Sequence, residues 1–86
     1  MRLQYTERFR QAYKALPDKE ARAVQKALRL LAAGPHYPSL RVRKIQSTDG
    51  ILEARAIRPR RLTFEAQGDL LVLRNAGPHD EVLGNP

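Results

Sequence analysis

The chain contains no cysteine and no tryptophan, one methionine, and two histidines in 86 residues. Without cysteine there is no disulfide framework, no thiolate nucleophile and no cysteine zinc site, and nothing requires an oxidising compartment. Two isolated histidines, His36 and His79, do not supply the clustered ligands of a metal site, so no metal or cofactor is expected. No apolar stretch approaches the length of a membrane span, and Met1-Arg2-Leu3-Gln4-Tyr5-Thr6-Glu7 lacks the apolar run of a signal peptide. The expectation is a cytoplasmic protein with no membrane partner. Eighty-six residues make one domain, residues 1–86, around a single modest core.

Acidic residues are also in short supply: nine stand against sixteen basic ones, for a net charge of +7. Residues 1–33 hold eight basic and three acidic side chains, residues 34–64 seven and two, and residues 65–86 one and four. The positive field therefore belongs to the first two thirds of the chain, where it attracts nucleic acid or an acidic protein and speeds encounter with either. Twelve of the sixteen cations are arginine. Its planar fork favours bidentate contact with phosphate or carboxylate, which places nucleic acid first.

The pattern begins helical and turns alternating. Leu3-Gln4-Tyr5 reads as a short opening strand, and Thr6 as an N-cap with Glu7 in the first turn. Phe9, Ala12, Tyr13 and Leu16 lie on one helical face, and Pro17 ends that helix. Asp18 is the expected cap of a second helix, with Ala21, Val24, Leu28 and Leu31 on one side and Lys19, Arg22, Lys26 and Arg29 opposite, stopped by Gly34-Pro35. After the connector His36-Tyr37-Pro38-Ser39, residues 40–45 read as a strand with Leu40 and Val42 on one face and Arg41 and Arg43 on the other. Thr48-Asp49-Gly50, Arg58-Pro59-Arg60 and Gln67-Gly68-Asp69 are turns between the next strands, and Leu70 to Leu73 is apolar on both faces, as a central strand would be. Tight turns between consecutive strands imply an antiparallel meander. The predicted fold class is α+β: an N-terminal strand and a helical hairpin packed on a mainly antiparallel sheet.

Chemistry concentrates in the later strands. Glu53 and Arg55 share one face of their strand, and Arg61 and Thr63 can share that face on the next. The central strand then runs toward Gly77-Pro78, read as a tight turn presenting His79 and Asp80. A carboxylate, two guanidinium groups and an imidazole are the groups needed to cleave RNA: a base for the ribose 2′-OH, cations for the phosphorane, and an acid for the departing 5′ oxygen. His79, Arg61, Arg55 and Glu53 are accordingly the candidate catalytic set. Arg41, Arg43 and Lys44, with Arg58 and Arg60 at the next turn, are the candidate RNA-binding cations.

Several segments resemble one known family in order and spacing. They are Phe9-Arg10-Gln11-Ala12-Tyr13-Lys14-Ala15-Leu16-Pro17, Gly34-Pro35-His36 through Pro38-Ser39-Leu40-Arg41-Val42-Arg43-Lys44-Ile45, Ile51-Leu52-Glu53-Ala54-Arg55, Arg61-Leu62-Thr63-Phe64, and Leu73-Arg74-Asn75-Ala76-Gly77-Pro78-His79-Asp80-Glu81-Val82. Over nearly the whole chain the sequence resembles the RelE/ParE superfamily of bacterial type II toxins, and most nearly its RelE-like ribonuclease branch. The resemblance implies a small sheet on a helical hairpin, metal-independent cleavage of ribosome-associated mRNA, and neutralisation by a cognate acidic antitoxin, with operator DNA reached only through the toxin–antitoxin complex. Arg61 matches an arginine at the start of the third meander strand, His79 a C-terminal position catalytic in some relatives, and Arg41, Arg43 and Lys44 a basic strand facing RNA. A tyrosine that some members carry near the C-terminus is absent. The competing readings are a ParE-like gyrase-binding toxin without nuclease activity and an inactive relative that retains antitoxin or operator binding.

Overall fold

Thr6 starts the first helix as its spacing predicts, its hydroxyl accepting the Phe9 N–H at 3.1 Å. The computed structural model describes all 86 residues. In chain order they form β1 (Arg2–Tyr5), α1 (Glu7–Lys14), α2 (Asp18–Ala33), a 3₁₀ turn (Pro38–Leu40), β2 (Arg43–Lys44), β3 (Leu52–Ile57), β4 (Arg60–Gln67), β5 (Leu70–Pro78) and α3 (His79–Gly84). The strands make one sheet in the order β1-β5-β4-β3-β2. β1 runs parallel to β5, from the pair Arg2 and Leu70 to Tyr5 and Leu73, and every other pairing is antiparallel. The fold is therefore α+β with a mainly antiparallel sheet, as expected.

The α1–α2 hairpin covers one face of the sheet. Phe9, Val24, Ala27 and Leu31 from the helices meet Ala54, Leu62, Phe64, Leu71, Leu73 and Ala76 from the strands, and all are buried. Full burial of an aliphatic or phenyl side chain contributes about 1.5–3 kcal/mol, so this layer supplies most of the cohesion. On β4, Leu62 and Phe64 point into the core, which leaves Arg61 and Thr63 on the opposite face. The β4–β5 hairpin closes on two residues, with Gly68 at φ +61°, the left-handed geometry that matches strand twist.

Three sequence expectations are corrected. Residues 40–45 are not one strand. Pro38 pre-sets a 3₁₀ turn, Leu40 is buried at its end, and Arg41 closes it in the left-handed region at φ 47°, leaving only Arg43–Lys44 in β2. One buried leucine in a helical turn mimicked strand alternation. Gly77-Pro78 is likewise not a turn: Gly77 pairs with Arg61 and Pro78 with Arg60, so β5 continues to Pro78 and His79 opens α3. Asp80 and Glu81 in the first turn suit the positive end of that helix, and Val82 is buried over Gly77. Finally, Pro17 rather than Asp18 caps α2; Asp18 is its first helical residue and makes no side-chain capping bond.

Candidate ribonuclease site

Antiparallel register assembles the site on the face away from the hairpin. One row across the sheet runs Arg43, Glu53, Thr63, Asn75, and the next runs Arg55, Arg61, Gly77. Two irregularities bracket the β4 segment from Arg61 to Thr63. β3 carries an extra residue between Arg55 and Ile57, and β5 carries Arg74 as an extra residue opposite the Thr63–Phe64 step. Such bulges bend a strand and re-aim side chains. Arg74 uses the displacement to reach Glu65, Nη1 to Oε1 at 2.5 Å.

Glu53 is the centre of the arrangement and is only 3% exposed. Arg43 donates from Nε to its Oε1 at 2.6 Å, and Arg61 Nε lies 4.0 Å from the same oxygen. The other oxygen, Oε2, is buried and has no hydrogen-bond partner. Desolvation of a carboxylate costs several kcal/mol unless its lone pairs are satisfied, so this oxygen is a free acceptor at the site. Glu53 and Leu83 line a hollow of about 450 Å³ together with Arg43, Lys44, Ile45, Gln46 and Ser47. Arg43 and Lys44 give it a cationic wall, which suits an anion such as phosphate.

Arg61 is half structural. Its Nη1 donates to the carbonyls of Arg58 (2.7 Å), Ile57 (3.3 Å) and Arg60 (3.3 Å), which ties the guanidinium to the β3–β4 turn. Burial lowers its pKa, Glu53 opposes that shift, and the like charges of Arg55, Arg43 and Arg41 add to it. These arginines therefore share one field. His79 stands at the N-terminal end of α3, two residues beyond Gly77 of the Arg55–Arg61 row, and its polar side-chain contact is with Asp80, Nδ1 to Oδ1 at 3.4 Å.

The structure thus gathers Glu53, Arg43, Arg55 and Arg61 on one face, with Lys44 at the same hollow and Arg41 within reach of Arg61 electrostatically. Arg58 is exposed at the turn. Arg60 is not part of the group: it points to the hairpin side and pairs with Glu20 of α2. Sequence reasoning missed three features. Arg43 is the close partner of Glu53, which only the short β2 register reveals. Thr63 and Asn75 are roofed by the last two residues, the Thr63 hydroxyl donating to the Pro86 carbonyl at 2.9 Å and the Asn75 amide to that of Asn85 at 2.8 Å. Leu83, carried on an unanticipated helix, borders the Glu53 hollow.

No family model and no curated protein matches the chain by sequence. Solved structures do match its fold. YafQ from E. coli strain BL21(DE3) superimposes with a TM-score of 0.80 at 17% identity, over 95% of this chain and 98% of YafQ. The toxin–antitoxin complex RelBE of E. coli gives 0.72 at 15% identity, over 90% and 94%. The RelB-RelE antitoxin–toxin complex of Methanococcus jannaschii gives 0.73 at 13%, over 96% and 98%. The chain has the fold of these RelE-like toxins.

Proposed function

We infer that this protein is the toxin of a type II toxin–antitoxin system and acts as a metal-independent endoribonuclease on ribosome-associated mRNA, which arrests translation. The observation that carries this reading is Glu53: a buried carboxylate with one oxygen held by Arg43 and the other unpartnered, beside a cationic hollow. Oε2 takes the proton of a ribose 2′-OH. The 2′ oxygen bonds to phosphorus as the bond from phosphorus to the 5′ oxygen breaks. Arg43, Arg61 and Arg55 stabilise the negative charge of the phosphorane. His79 gives a proton to the departing 5′ oxygen, and the products are a 2′,3′-cyclic phosphate and a 5′-hydroxyl. Arg41, Arg43, Lys44 and Arg58 hold the RNA backbone on either side.

Four of the solved neighbours are toxin–antitoxin complexes, which supports an antitoxin as the regulating partner. The ribosome supplies orientation of the mRNA that so small an open site cannot supply alone. The decisive experiment adds the purified protein to translating ribosomes and maps new mRNA 5′ ends. Cleavage by the wild type that is lost in Glu53→Gln and His79→Ala is the expected result. Absence of new ends with the wild-type protein overturns the reading.

A further inference from the structure

We propose that the stacked pair His36–Tyr37 is a platform for one single-stranded RNA base close to the cleaved linkage. The proposal rests on the ribonuclease reading and names a contact for its substrate. His36 and Tyr37 lie ring on ring, with centroids 5.3 Å apart and planes 13° from parallel. The imidazole edge fills the space that a Cβ on Gly34 would take, so the absence of a side chain there seats the ring. Pro35 and Pro38 bracket the pair and restrict the backbone on both sides. The stack is therefore pre-ordered, yet Tyr37 remains 39% exposed.

A rigid exposed ring invites a base because every base has a π-face and stacking needs no sequence match. The surroundings favour RNA over a protein partner. The exposed large hydrophobic residues are Met1, Tyr5 and Tyr37, and Tyr5 is already stacked on Phe9, so Tyr37 is not the centre of an apolar patch. Cations are close instead. Ser39 and Leu40, directly after the pair, share a small hollow with Lys26 and Arg55, and Arg41 follows at the end of the 3₁₀ turn. Arg55 belongs to the row of Arg61, and Arg41 contributes to the field at Arg61. The pair leads directly in the chain into this cationic hollow and Arg41, so a nucleotide stacked on Tyr37 directs its phosphate toward Arg41, Arg55 and Lys26.

The test compares Tyr37→Ala and Tyr37→Phe with the wild type in cleavage of ribosome-bound mRNA, and by titration of an oligoribonucleotide carrying 2-aminopurine. Loss of one base stack should raise KM about 5- to 150-fold in Tyr37→Ala with kcat within about twofold, while Tyr37→Phe stays near wild type. An unchanged KM in Tyr37→Ala overturns the platform while leaving the ribonuclease reading intact. Equal loss in Tyr37→Phe also overturns it, since the hydroxyl and not the ring would then be the contact. If the wild type cleaves nothing, the ribonuclease reading fails and the titration decides: quenching of 2-aminopurine that disappears in Tyr37→Ala supports the platform, and absence of quenching with the wild type overturns it.

Discussion

Burying a carboxylate is costly unless cations and donors compensate it, and Glu53 is compensated on one oxygen only. The uncompensated oxygen is useful if it receives a proton during the reaction. In the proposed mechanism Glu53→Gln keeps the volume and removes the base, so cleavage of ribosome-bound mRNA should fall about 10²- to 10⁴-fold while the circular dichroism spectrum stays native. A rate within fivefold of wild type would assign the base elsewhere. Arg61 separates differently, because its Nη1 bonds hold the β3–β4 turn whether or not RNA is bound. Lysine keeps the charge but not the fork. Arg61→Lys should therefore lose about 1.5–3 kcal/mol in urea denaturation, close to the loss in Arg61→Ala. Wild-type stability in the lysine variant would show that charge alone suffices at this position. Glu53, Arg55 and Arg61 were legible here as residue types on one face of two neighbouring strands, whereas His79 was expected on a turn and opens α3. The pairing of Glu53 with Arg43 was not, because a two-residue strand leaves no periodic signal.

At the scale of elements, helices and hairpins were readable because their signals are local. Thr6 caps α1, Gly68 makes the β4–β5 turn, and the apolar face of α1 packs as its spacing predicts. What failed depends on tertiary context: Leu40 is buried by a 3₁₀ turn, and α3 is six residues with a single buried side chain, Val82, packed on Gly77. Arg41 allows the conformational and electrostatic roles of this region to be separated. A non-glycine residue in the left-handed region costs about 1–2 kcal/mol, so Arg41→Gly relieves strain as it removes a cation. Stability should be equal or slightly higher, while RNA affinity falls and its salt slope loses about one unit. An unchanged slope would mean that Arg41 does not touch phosphate. Arg60 gives the opposite result: Arg60→Ala breaks the pair with Glu20 and should lower the urea midpoint without changing the salt slope.

Across the whole molecule the charges sort into paired and unpaired sets. Glu53, Glu65, Asp69 and Glu20 each pair with an arginine, and burial or hydrogen bonding holds those pairs in place to different degrees. Lys14, Lys19, Arg22, Lys26, Arg29, Lys44 and Arg58 form no ion pair within the chain and are all exposed. These cations, four on α2, Lys14 at the end of α1, Lys44 at the Glu53 hollow and Arg58 at the β3–β4 turn, contribute to the long-range field of a protein with net charge +7. A field of that sign steers an acidic chain as readily as it steers RNA, so a protein partner that inhibits the proposed activity should be acidic and should compete with RNA for the same surface. Association with the product of the neighbouring gene should slow steeply as salt is raised from 50 to 500 mM, because screening shortens the Debye length from more than 10 Å to roughly 4 Å. The complex should cleave no mRNA, and an oligoribonucleotide should slow its formation. A co-expressed neighbour that neither co-purifies with the protein nor relieves growth arrest would remove the antitoxin from the reading. An association rate insensitive to salt would show instead that recognition is carried by apolar contacts, and the unpaired cations would then serve RNA alone.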